Sequence, residues 1–160
     1  MSSVYLETSV VSYLRQRTSE QIVTAARQVH TRRWWTRDRE KHELYVSRFV
    51  LDEASLGDAR LAAERLEALQ EIPLLELSES IFILGTELVE RAALPEKAKV
   101  DALHIATAAV HEVDYLLTWN CKHIANANLV PRVNKVIEEM GYAPPYICTP
   151  EELMNDEQSK

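Results

Sequence analysis

The sequence predicts an α/β fold: a small parallel sheet of four to five strands with helices on both faces, a three-layer α/β/α sandwich. Three observations carry this. Short apolar runs at 4–6, 44–47, 72–77, 114–119 and 146–148 alternate with stretches of helical period. No Asn-Gly or Asp-Gly hairpin signal joins any two of them. The alanine-rich run Val100–Val110 follows Ala98 and places Ala102, Ala106 and Ala109 at helical spacing, a stripe of small side chains that lets a helix close on a sheet.

Val4-Tyr5-Leu6 is the first strand, and Thr8 or Ser9 is expected to cap the helix carrying Val10, Val11, Tyr13 and Leu14. Ser19 to Lys41 reads as a second helix, with Ile22, Val23, Ala26, Val29 and Trp34 as its inner face. Leu44–Ser47 is the second strand, and Phe49 begins a short helix that Gly57 ends. Asp58 caps an amphipathic helix through Gln70 with Leu61, Leu66 and Leu69 turned inward. Ile72–Leu77 is expected as a third strand with Pro73 at its entrance, before a helix from Ser78 to Arg91. Pro95 lies in the connection to the alanine-rich helix. Asp114–Trp119 is a strand whose interior, Tyr115-Leu116-Leu117, is continuously apolar, as buried parallel strands are. Asn126 to Met140 is a helix closed by Gly141 and Pro144-Pro145, and Tyr146–Cys148 is the last strand, with Thr149 and Pro150 opening a short terminal helix. One domain is expected over 1–155, with 156–160 a frayed acidic tail.

Composition narrows the function. At 46% apolar and 27% charged residues, the 160-residue chain is neither fibrous nor disordered. Its formal net charge of -7 disfavours non-specific binding of polyanions through an overall field, yet Arg27, Arg32, Arg33, Arg37, Arg39 and Lys41 cluster and leave one face suited to one. Trp34 and Trp35 point in different directions on a helix, so either both are core or one is open to stack on a base or dock a partner. Cys121 and Cys148 form no C-x-x-C pair, which excludes a disulfide framework and a structural zinc site. No segment is long and apolar enough to span a bilayer, and no basic leader precedes the first apolar run, so a cytoplasmic location is expected. Gly57, Gly85 and Gly141 are the three glycines; they build no phosphate-cradling loop, which speaks against a nucleotide-binding protein.

Four oxygen-bearing residues share a topological position. Glu7, Glu53, Asp101 and Asn120 each fall at or just beyond a strand end, or at the start of a helix, and in a parallel sheet those ends lie along one edge. Glu53 is preferred over Asp52, which helix geometry turns about 100° away. Carboxylates gathered there repel unless a divalent cation neutralises them, and Mg2+ or Mn2+ suits oxygen ligands. A cation so held supports phosphodiester hydrolysis without a covalent intermediate, with Thr8, Ser9 and Thr118 orienting solvent from behind the ligands. Asp101, beside a buried stripe, must be satisfied by a hydrogen bond, a cation or water. His104, on the apolar helix, reads as a satisfied core histidine. His123, Lys122 and Arg33 are candidate substrate contacts.

Tyr5 to Val11, Ser47 to Glu53, Asp101 to Ala108 and Leu116 to Asn120 together resemble a PIN-domain protein, with toxins of the VapC type in bacterial toxin-antitoxin pairs as the nearest group. The resemblance implies a metal-dependent ribonuclease acting on RNA, commonly a homodimer and often silenced by a small antitoxin protein, with Glu7, Glu53, Asp101 and Asn120 in the acidic positions. Two departures stand out. Glu7 occupies a position usually held by aspartate, and Asn120, often aspartate, keeps a carbonyl oxygen but removes a charge, which lowers the expected metal affinity. The competing reading is a PIN-fold module that binds RNA or a protein partner without cleaving.

Overall fold

The computed structural model describes residues 1–154. Four strands, β1 (Ser2–Leu6), β2 (His42–Tyr45), β3 (Tyr115–Leu117) and β4 (Tyr146–Cys148), form one sheet in the order β2-β1-β3-β4. Every pair is parallel, with Val4 opposite both Leu44 and Tyr115, and Leu117 opposite Cys148. Among the described residues there are seven α-helices, α1 (Thr8–Arg15), α2 (Ile22–Arg37), α3 (Arg48–Ala54), α4 (Ala59–Leu69), α5 (Glu79–Arg91), α6 (Lys99–Val110) and α7 (Val130–Glu139). Helices α5, α6 and α7 pack in a row, whereas α1 packs against α2, α3 and α4, giving the α/β/α sandwich. The predicted acidic tail at 156–160 lies outside the described residues.

Burial follows chemistry. Val4, Tyr5 and Leu6 are all buried, as they must be in a central strand covered on both faces. Ala98, Ala102, Ala106 and Ala109 are fully buried, so the small-residue stripe does bring α6 onto its neighbours. Gly85 of α5 makes that approach closer still: a Cβ there would stand 2.8 Å from Leu103 Cδ2.

Five expectations change. The inner face of α2 is not Ile22, Val23, Ala26 and Val29: Ile22 is 86% exposed and Val23 65%, while Gln28, Thr31 and Trp34 are buried. The reason is polar anchoring. Gln28 donates to Arg17 O, and Thr31 Oγ1 accepts from the Trp119 indole, so hydrogen bonds and not apolar spacing set the rotation of the helix. Residues 72–77 make no strand; a single bridge joins Val46 to Leu74, because Pro73 lacks an N–H and Leu74 and Leu77 face solvent. The cap of α1 is neither Thr8 nor Ser9 but Glu7, whose carboxylate accepts from Ser9 N. Helix α7 begins at Val130, four residues late, and Thr149 opens one turn in place of a helix, its N–H bonded to Glu152 and its hydroxyl accepting from Glu152 N.

The order β2-β1-β3 places a topological switch point at β1 and β3, where the chain leaves one strand for one side of the sheet and reaches the other from the opposite side. Open parallel sheets form a crevice at such carboxyl ends. Glu7 follows β1 and Thr118 follows β3, so both line it.

Candidate metal centre

Glu7 follows the last residue of β1 and is the N-cap from which the chain turns into α1. Its N–H still bonds Leu117 O at 3.0 Å, continuing the sheet, while its side chain turns back onto the helix it caps. Oε1 accepts from Thr118 Oγ1 at 2.5 Å and from the Ser9 hydroxyl, and Oε2 accepts from Ser9 N at 3.1 Å. The carboxylate is buried. Hydroxyls, a backbone N–H and the positive end of the α1 dipole are what hold it there.

Glu53 comes from α3, which follows Ser47 in the N-cap position, where the Ser47 carbonyl accepts from Val50 N and Leu51 N. Asp52 points outward and pairs with Arg48, which leaves Glu53 on the inner side of the turn. Its Oε1 accepts two hydrogen bonds, from Thr8 Oγ1 at 2.7 Å and from His104 Nε2 at 2.5 Å. Burial pushes the Glu53 carboxyl up, but the bond and charge of His104 and the Thr8 hydroxyl outweigh burial and hold it below the usual carboxylate range.

Donor atoms of Glu7, Glu53 and His104 all lie within 4.8 Å of one another. Among the described residues no Lys or Arg pairs with either carboxylate, although Arg and Lys pair with Asp52, Asp38, Glu64, Glu87 and Glu139 elsewhere. Two acids so close, with no Lys or Arg pairing with either, form a donor set that a hard divalent cation fits.

Asp101 stands apart from that trio. It lies in the first turn of α6, and its Oδ2 is 3.1 Å from His123 Nδ1, both side chains being mostly buried. The hydrogen bond to His123 satisfies that oxygen. Asn120 Oδ1 accepts from His123 N at 3.0 Å, so this oxygen shapes the loop after β3. A continuous chain of bonds nevertheless ties the two halves: Asp101 to His123, His123 to Asn120, Asn120 N to Thr118 Oγ1 at 2.9 Å, and Thr118 to Glu7. Trp119 pins this loop, its N–H on Ser9 Oγ, its indole on Thr31, and Arg27 over its ring at 5.4 Å.

The candidate substrate contacts divide. His123 faces Asp101, whereas Lys122 and Arg33 are exposed. Trp34 is core, and Trp35 is half-buried under Arg39, whose guanidinium carbon lies 3.9 Å from the ring centroid. Sequence reasoning missed the company His104 keeps. A fully buried imidazole on an apolar helix has no local partner for its two nitrogens, so long-range ones were implied, although their identity was not. They are Glu53 and Tyr5.

No curated protein matches the chain. The PIN domain family profile, however, matches residues 4–120, a span that runs from β1 to Asn120 and takes in Glu7, Glu53, Asp101 and both helices between which the acids are held. With nearly three quarters of its length so matched and a parallel sheet collecting acids at its carboxyl edge, the chain belongs to the PIN-domain family.

Proposed function

We propose that the protein is a Mg2+- or Mn2+-dependent endoribonuclease of the VapC-like toxin type. PIN domains are generally nucleases, and the observation that supports the reading here is the convergence of Glu7 and Glu53, with no Lys or Arg pairing with either among the described residues. A divalent cation, when bound, would supply charge for the developing phosphorane and a nucleophile at neutral pH. Glu7 and Glu53 would hold it, with Asp101 and Asn120 as the further family positions. Thr8, Ser9 and Thr118 already bond the ligating carboxylates and fix their orientation. His123, with Nδ1 on Asp101, would offer its other nitrogen to a substrate phosphate, joined by Lys122 and by Arg33 from α2.

A homodimer, a cognate antitoxin and a cytoplasmic location belong to the same proposal. Exposed Phe82 and Ile83 on α5 and Val100 on α6 leave apolar area for protein contacts. No helix among the described residues is long and apolar enough to cross a membrane.

The test is cleavage of structured and unstructured RNA with Mg2+, Mn2+ or EDTA, beside Glu53→Gln and Asp101→Asn. The expected result is cleavage that EDTA stops and both substitutions reduce by about 100-fold or more, on the scale of removing a charge-stabilising group. Cleavage independent of metal, or full activity in both variants, contradicts the proposal.

A second reading, a PIN-fold module that binds RNA or a protein without cutting, has one observation behind it. The Asp101 carboxylate and the Asn120 oxygen are engaged with His123, outside the Glu7 and Glu53 cluster. On that reading calorimetry shows RNA binding with no cation binding.

A further inference from the structure

We propose that His104 is a positioning residue: a buried relay, Ser47 to Tyr5 to His104, fixes one oxygen of Glu53 and thereby presents the other to the cation, His104 itself being no ligand. This rests on the reading of the site as a divalent-cation centre. The relay is short at every step. Ser47 Oγ lies 2.7 Å from Tyr5 Oη, Tyr5 Oη 2.6 Å from His104 Nδ1, and His104 Nε2 2.5 Å from Glu53 Oε1. Ser47, Tyr5 and His104 are all fully buried. Ser47 occupies the N-cap position of α3, yet its side chain makes no cap bond there and is turned to Tyr5 instead.

The polarity of the relay decides what Nε2 can do. Glu53 Oε1 already accepts from Thr8 Oγ1, and a carboxylate oxygen pairs with Nε2 at 2.5 Å when Nε2 carries a hydrogen. With the hydrogen assigned to Nε2 on that ground, a neutral imidazole accepts a hydrogen bond from the Tyr5 hydroxyl at Nδ1, and no lone pair remains at Nε2 for a metal. Thr8 Oγ1 donates to the same Oε1, so both anchors act on one oxygen. Oε2 has no protein partner among the described residues. Phe49, edge-on to the imidazole at 6.2 Å between centroids, stands beside the ring as apolar packing. The sequence distributes this device over β1, the start of α3 and the middle of α6, which is why no local motif announces it.

The experiment uses the full chain with Mn2+ as the only probe, read by calorimetry and by pulsed EPR of the bound ion. Wild type should bind Mn2+ with no nitrogen hyperfine coupling that depends on His104. Tyr5→Phe, which touches no ligand and preserves the ring, should weaken binding by about ten-fold or more while circular dichroism is unchanged, the usual cost of losing a group that orients a ligand. His104→Leu should lose more. His104→Gln, whose amide N–H can still donate toward Glu53, should recover most of the affinity. A directly coordinated nitrogen that disappears in His104→Gln overturns the proposal, as does unchanged affinity in Tyr5→Phe. Wild type that binds no Mn2+ overturns the cation-centre reading itself, and the positioning role falls with it.

Discussion

Glu53 is pulled two ways, its burial favouring the protonated form and His104 and Thr8 favouring the carboxylate, with the second pair prevailing. Because the folded chain holds this proton less tightly than the unfolded one, the stabilisation is complete above about pH 4.5, the ordinary value, and is lost as pH falls through the lower folded value. Glu53→Gln should therefore flatten the acid limb of stability against pH in urea unfolding; an unchanged limb would mean that His104 does nothing for the charge. Ser9 carries a different load. Its hydroxyl accepts from Trp119 N at 2.8 Å while donating to Glu7, so Ser9→Ala leaves a part-buried N–H without an acceptor and should cost about 1–3 kcal/mol in the same assay. Cys148 offers a simpler check: burial, aided by Glu152, pushes its thiol up to about 12, so at pH 8 an alkylating reagent should modify the more accessible Cys121 first, and equal rates would contradict the burial.

Helix α6 shows how much an element's sequence can specify. Its alanines are fully buried against neighbours that leave no room, so Ala106→Leu should destabilise by about 1–3 kcal/mol or more, measurable by chemical denaturation. An apolar run likewise marked the central strands β1 and β3, whose Val4, Tyr5, Leu6, Leu116 and Leu117 are buried, whereas the edge strand β2 runs over His42–Tyr45, two residues earlier than the expected 44–47, because its His42 and Glu43 pair with β1 without being apolar. Apolar spacing failed for most of α2, where five apolar side chains were expected inside and only Trp34 is buried, with Gln28 and Thr31 beside it. Periodicity counts apolar residues, and it is blind to a buried glutamine whose amide finds Arg17 O and Ser19 N. The expected strand at 72–77 failed for the complementary reason: apolar residues were present, but Pro73 interrupts the ladder after one bridge.

Across the whole molecule, sequence position identified which strand ends meet, since topology alone brings Glu7 and the loop after β3 to one crevice. It did not reveal the pairings inside that crevice. Glu53 and His104 are 51 positions apart, and Asp101 and His123 are 22 apart, so the partner of each acid depends on how layers settle against each other. If Glu7 and Glu53 share a cation, Mn2+ at about 100 times its dissociation constant should add about 2.7 kcal/mol and raise the melting temperature by roughly 5–10 °C, an effect Glu53→Gln should remove. The most direct measurement is the anomalous difference map of a crystal soaked in Mn2+. A shared cation gives a peak bonded to carboxylate oxygens of both Glu7 and Glu53; a map with no peak there, or one whose only ion sits elsewhere on the protein, rules the shared site out.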